Sequence, residues 1–245
     1  MKKRSIALIA FMAISSSVMA GEDIAPVVPD PVNNWDGFYI GIQTGYNWGD
    51  ADVAWVDNAG TADQVDYQGP AYNVDGSIGG IYGGYNWLLS GKWLIGLEGE
   101  WNFMGAEDIQ STNYEGTDNF PGEVKQNWDA SVRLRAGKIM GDFFPYITGG
   151  VAWGGFHVKQ YYVNDPEYVY FDKDMTLTGW TLGAGLEWSV SSDVHLRVQY
   201  RYTDYGDEQK RDNWSSYGVV DPDDYTDAKL DYNAHQVTLG LTYQF

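Results

Sequence analysis

No cysteine occurs among the 245 residues of this chain. If the protein is exported, no disulfide braces it, and its hydrogen-bonded scaffold must hold it together unaided. Positive charge is nearly as scarce. Fifteen lysines and arginines face 34 aspartates and glutamates, a formal net charge of −19, and that sign excludes nucleic acid as a partner. No apolar run approaches the ~20 residues of a membrane-spanning helix, so a bilayer would have to be crossed by strands. Histidine is limited to three residues, which leaves little for acid–base chemistry. What the chain does have is glycine, 30 residues of it, and aromatic side chains at 16%. That composition suits one all-β domain better than a helical bundle or two domains.

The amino terminus has the layout of an export signal. Lys2, Lys3 and Arg4 precede an apolar stretch at 6–14 (IALIAFMAI), and small residues at 15–20 (SSSVMA) suit cleavage after Ala20. Cleavage would take three basic groups and no acidic ones, leaving 12 against 34, a net charge of −22. Residues 21–34 (GEDIAPVVPDPVNN) hold three prolines without periodicity and read as an extended periplasmic leader. The barrel itself is expected over 35–245.

At the other end, residues 234–245 (AHQVTLGLTYQF) alternate strictly. Val237, Leu239, Leu241, Tyr243 and Phe245 are apolar, and the residues between them are small or polar. A period of two makes a strand with one apolar face. Exposed in water, such an edge invites aggregation, whereas in a closed barrel in lipid it does not. Tyr243 and Phe245 resemble the carboxy-terminal signal by which outer-membrane barrels are recognised for assembly. The same alternation recurs upstream: 41–48 (GIQTGYNW) returns as 80–87 (GIYGGYNW). Eight such strands are read near 37–48, 77–87, 92–103, 128–139, 145–156, 176–189, 194–204 and 233–245. Ten to twelve residues at ~3.3 Å each, tilted by about 40°, rise through about 25–30 Å, a bilayer's hydrocarbon thickness. Links are short at 88–91, 140–144 and 190–193, and long at 49–76, 104–127, 157–175 and 205–232. The fold class is therefore an all-β, eight-stranded antiparallel up-and-down transmembrane β-barrel, with short periplasmic turns and long extracellular loops. A lipocalin-like soluble barrel is the competing architecture, and it would turn the apolar face inward.

Residue size chooses between them. Phe38, Ile40, Ile42, Tyr46, Trp48, Trp93, Leu97, Trp101, Leu134, Trp180 and Leu182 share one face, and they would overfill the lumen of an eight-stranded barrel. They are placed outward, with Trp and Tyr toward strand ends as interfacial girdles. The inner face carries Gly37, Gly41, Gly45, Gly96, Gly137, Gly183 and Gly185, together with Glu98, Glu100, Glu187, Arg133, Arg135, Arg197 and Arg201. A lone buried charge is prohibitive, so these seven are expected to form an ion-pair network. Glu187 and Arg197 are expected as near-neighbours across the 190–193 turn. A plug filling a lumen too narrow for a channel is preferred over a shifting gate.

The segments 35–41 (WDGFYIG), 80–87, 96–100 (GLEGE), 132–137 (VRLRAG), 145–152 (PYITGGVA), 179–187 (GWTLGAGLE), 197–202 (RVQYRY) and the closing strand carry a resemblance. The chain resembles the small eight-stranded outer-membrane β-barrel proteins of Gram-negative bacteria, the OmpA-type transmembrane barrel class. More closely, it resembles the alphaproteobacterial RopB-like surface antigens, a group with hemin-binding members. The resemblance implies an integral protein of the outer membrane, with outer-membrane lipid, lipopolysaccharide and the barrel assembly machinery as partners. It does not imply the cell-wall anchoring of a full OmpA-type protein, since no peptidoglycan-binding segment is read after Phe245.

Distinct activity is expected in the loops. They are acidic, with Asp50, Asp52, Asp57, Asp63, Asp66 and Asp75 in the first and residues 221–231 (DPDDYTDAKLD) in the last. They lack the central glycine and terminal glutamate of an EF-hand loop, so no metal and no cofactor is assigned. Some barrels of this size are lipid A hydrolases or acyltransferases, but no serine here is paired by spacing with a histidine and an orienting acid, and no catalytic residue is assigned. Hemin binding through His157 or His235 with loop tyrosines, a host surface protein as partner, and a small low-conductance channel are the alternatives carried forward.

Overall fold

The structure, a computed structural model, describes residues 34–57, 65–112, 120–162, 165–216 and 219–245. The expected export signal and nearly all of the expected leader lie outside the described residues. Nine strands follow in order: β1 (Gly37–Asp57), β2 (Val65–Asn73), β3 (Asp75–Leu88), β4 (Trp93–Thr112), β5 (Phe120–Lys138), β6 (Phe143–Tyr162), β7 (Asp165–Ser189), β8 (Val194–Ser216) and β9 (Val219–Gln244). Each is antiparallel to its neighbours, and β1 pairs with β9, so the sheet closes on itself. β2 and β3 are parted only at Val74 and lie along the same side of β1, so the barrel has eight staves. Closure leaves no edge at the level of the lipid, the condition for β-structure there.

The alternation of side chains sets which way each residue looks. Trp101, Leu134 and Leu239 are 42%, 67% and 61% exposed on the outer wall. Glu98, Arg133 and Arg197 on the same strands, or on strands beside them, are buried inside. The apolar face therefore looks out, and the soluble-carrier architecture is ruled out. Phe38, Trp87, Trp93, Phe143, Trp188, Tyr243 and Phe245 ring the short-turn end, and Trp48, Trp101, Phe103 and Trp180 the other. Trp101 stacks on Trp128 at 4.9 Å.

The strands do not stop at the second ring. β1 runs to Asp57, β4 to Thr112, β8 to Ser216, and the partner strands begin correspondingly early. Most of what the sequence reading assigns to long loops is paired strand. In this extension the chemistry of the two faces exchanges. Asp50, Asp52, Glu107, Asp174, Asp207 and Asp231 now stand outside, while Val53, Val124, Phe156, Leu177, Leu230 and Tyr232 form a buried core inside. Charge outside and hydrocarbon inside is the arrangement of a protein in water, so the exchange marks the outer membrane surface.

Above that level the wall divides. The β7–β8 ladder ends at Trp180↔Asp204, and the β3–β4 ladder at Asp75↔Glu107. What continues is one set of strands in the order β8-β9-β1-β2 and another in the order β4-β5-β6-β7. The two sets pack their apolar faces together. Phe156 of β6 meets Tyr232 of β9 at 4.8 Å and Tyr205 of β8 at 5.7 Å, both edge-on. The extension is thus a sandwich with an apolar core, standing on a barrel with a charged one.

Candidate functional site: the charged lumen

Glycines on the inner face make room for what fills the barrel. Tyr82 lies against Gly41 and Gly240, and Tyr146 against Gly185, where a side chain would collide with the ring. The interior tyrosines, Tyr39, Tyr82 and Tyr146, in turn carry the guanidinium groups. Arg135 sits 4.4 Å from the Tyr39 ring centroid and Arg197 sits 4.3 Å from that of Tyr82, within cation–π range.

All seven charged residues named from the sequence are buried in the lumen. Glu98 is the hub. It accepts from Arg197 Nη1 and Nη2 at 2.8 and 2.9 Å, from Arg133 Nη2 at 2.5 Å, from Arg135 Nη1 at 3.5 Å and from the Tyr39 hydroxyl at 2.8 Å. Arg133 Nη2 also donates to Glu100. Arg135 Nη1 donates to Glu187 at 2.6 Å, and Arg201 Nη1 to Glu100 at 2.8 Å. Arg197 belongs to β8 and Glu98 to β4, staves on opposite sides of an eight-stave barrel, so the pair spans the lumen.

Glu187 and Arg197 are near-neighbours, as their spacing about the turn predicts, and two features of the network go beyond the sequence reading. Glu187 and Arg197 are register partners across β7 and β8, but neither is the other's ion-pair partner. Glu187 goes to Arg135 and Arg197 to Glu98. Glu98, by contrast, bonds its own register partner Arg133 as well as Arg197 across the lumen. The second feature is Asp129, buried on β5, which accepts from Arg201 Nη2 and Gln236 Nε2, both at 2.6 Å, and from Asn102 Nδ2 at 2.7 Å. With it, four carboxylates balance four arginines. Its signal was in the sequence, since Asp129 shares the parity of Ser131, Arg133 and Arg135.

The charged lumen lies between two buried apolar clusters. Above stands the apolar core of the extension. Below, Trp35 is buried in the mouth with Leu94, Phe144 and Tyr146. The segment carrying Trp35 is tied there by Asn86 Nδ2 to its carbonyl at 3.0 Å, by Gln244 Nε2 to the Asp36 carbonyl at 2.9 Å and by Asn34 Nδ2 to the Phe245 carbonyl at 2.9 Å.

The three histidines are apart. His157, on the outer face of the extension, contacts Asp174 at 2.9 Å and Asp172 at 3.2 Å. His235, in the outer aromatic ring, lies 2.7 Å from the Tyr200 hydroxyl and stacks on Trp48. His195 is buried in the lower mouth, its ring 4.0 Å from that of Trp35. Its odd number on β8 gives it the inward parity of Arg197. Of the carboxy-terminal pair, Tyr243 and Phe245 both face outward and contact each other edge-on at 5.1 Å.

A closed barrel with an apolar belt between two aromatic rings and a charge-neutral interior is the architecture of an integral outer-membrane protein. The chain matches, over residues 6–245, the family model described as outer membrane protein beta-barrel domain, and it belongs to that family. It is 30% identical to the 31 kDa outer-membrane immunogenic protein of Brucella melitensis biotype 1 over 247 residues, covering 98% of this chain and 96% of that protein. It is 31% identical over 181 residues to the 22 kDa outer membrane protein of Rhizobium leguminosarum bv. viciae, 74% of this chain and 68% of that one. Among solved structures it shares its fold with the outer membrane protein OprG of Pseudomonas aeruginosa, at a TM-score of 0.51 and 14% identity over 88% of this chain and 100% of that chain. The outer membrane is its location.

Proposed function

We propose that this protein is a closed, non-catalytic surface barrel that contributes to outer-membrane structure and meets the exterior through its charged, strand-built extension. The observation that carries the reading is the balanced lumen, where four buried arginines and four buried carboxylates bond one another across the barrel. Moving one of them to admit an ion would leave another unpaired in a dry interior, at a cost of about 3–5 kcal/mol. The histidines support the non-catalytic part. Each is engaged with an acid, an aromatic ring or a tyrosine hydroxyl, and Ser189, the register partner of His195, donates its hydroxyl to the Ser191 carbonyl at 2.8 Å. The surface role is supported by the relatives described as outer-membrane immunogenic proteins. Lipopolysaccharide surrounds the extension in this reading, and the assembly machinery engages the Tyr243–Phe245 end.

Planar-bilayer recording tests the plug. Purified, folded protein is expected to give no stable conductance steps from most inserted molecules. Large, long-lived steps from most of them would replace the plug by a channel.

A further inference from the structure

Beyond Asp204, β8 loses one of its two neighbours. β9 continues beside it through Asp207↔Asp231 to Ser216↔Val219, but among the described residues no strand pairs with its other side. The parting is built into the chain. Gly206 adopts φ +62° and its N–H turns to the Asp204 carboxylate at 2.9 Å, out of the ladder. Gly179 sits where the strands last touch, and a side chain there would collide with the Asp204 carbonyl. The result is a strand edge in water, outside the closed part of the barrel, from residue 205 to residue 216. A row of N–H and C=O groups without a ladder partner is a template for another strand.

The charge beside this edge says what kind of strand. Asp52 on β1, Asp231 on β9 and Asp207 on β8 are successive register partners and all are exposed. They form one row of three carboxylates across the outer face, and the row ends at the edge. Lys229 bonds Asp207 at 3.2 Å, so one cation answers this end of the row. Like charges directly opposed across strands destabilise a sheet, and opposite charges stabilise it. The next position in the row, on whatever strand is added, therefore favours lysine or arginine.

We infer that the free side of β8 is a strand-addition surface for an extended, cationic polypeptide segment, seated antiparallel to β8 with a lysine or arginine opposite Asp207. The partner is a peptide segment of a protein, not a lipid and not a metal ion. The backbone ladder supplies the affinity and the carboxylate row the selection.

Three twelve-residue peptides test it against the whole folded protein in detergent: alternating valine and lysine, alternating valine and glutamate, and the lysine peptide with a central proline. Hydrogen exchange read by mass spectrometry is the main measurement. In the free protein, amides of 205–216 are expected to exchange faster than those of β5 and β6 in the extension. The lysine peptide should slow them, while the proline peptide should bind weakly and protect none. Asp207→Lys should shift the preference toward the glutamate peptide by about three- to fivefold per opposed pair. Asp207→Asn should reduce discrimination without reversing it. Equal binding of the lysine and proline peptides would show electrostatic adsorption alone and overturn the proposal. So would slow exchange at 205–216 in the free protein, or binding without protection there.

Discussion

Removing the carboxylate of Glu98 is the most direct test of a dry, charge-balanced lumen. Glu98 holds Arg197 through two hydrogen bonds at 2.8 and 2.9 Å and also engages Arg133 and Arg135. At 2.8 Å and an effective dielectric constant of about 20, one such pair is worth ~6 kcal/mol of Coulomb attraction before desolvation is charged against it. Breaking a buried pair by deleting one partner costs about 3–5 kcal/mol, because the surviving charge stays buried. Glu98→Ala is therefore expected to lower barrel stability by about 3–5 kcal/mol. Glu98→Leu combined with Arg197→Met restores neutrality and should recover most of that loss, since replacing a whole buried pair by apolar groups is often nearly neutral. Reversible unfolding of vesicle-inserted protein in guanidinium, followed by heat-modifiable gel migration, measures both. A single-variant cost below about 1 kcal/mol, typical of exposed pairs, would mean that water solvates these charges. The plug reading would then fail. Equal costs for the single and double variants would refute the charge-balance argument while leaving the packing intact.

Trp35→Ala should lower stability by about 3–5 kcal/mol while the barrel still folds, because it empties the lower mouth; unchanged melting on gels would show that Trp35 closes nothing. Burial and the neighbouring Asp204, Asp207 and Asp52 raise the Asp231 carboxyl above its ordinary value. A raised carboxyl pKa destabilises the fold once the group ionises, so the penalty is absent below the unfolded value and complete above the folded one. Residues 226–232 should thus be better protected from exchange just below the ordinary carboxylate range than at neutral pH, and Asp231→Asn should flatten that difference. Phe245→Ala removes a lipid-facing ring that is 68% exposed, so it should slow assembly by purified machinery while leaving spontaneous refolding in detergent unchanged. Mass spectrometry of the mature protein is expected to place its first residue at Gly21; a start at Met1 would remove the export signal.

Much of the barrel was legible in the chain because a strand in lipid obeys two rules at once, a period of two and a sharp contrast between faces. Both hold from Phe38 to Trp48 and from Trp93 to Phe103, and there the sequence reading and the structure agree on strand and orientation. The rules fail above the membrane for separate reasons. Along β1 the parity persists but the chemistry exchanges, so Asp50 and Asp52 look out while Ala51 and Val53 look in. A reader tracking apolar residues outward sees only a loop. Along β5 the parity itself breaks, because the register slips between Trp128 and Gln126 and the inward set passes from odd to even numbers.

The charged lumen divides in the same way. Which residues face inward is local information, and the chain determines it. Glu98, Arg133, Arg197 and the overlooked Asp129 each follow from parity on a single strand. Which carboxylate meets which guanidinium depends on closure, because β4 and β8 oppose each other only once β1 has paired with β9. The chain by itself determined a barrel, its membrane belt and the inventory of its interior charge. Only the tertiary structure decided the pairing of those charges, the seating of Trp35, and the point at Gly179 and Gly206 where the wall parts. Each of these joins residues far apart in the chain, and no periodicity along one strand can encode a contact across the lumen.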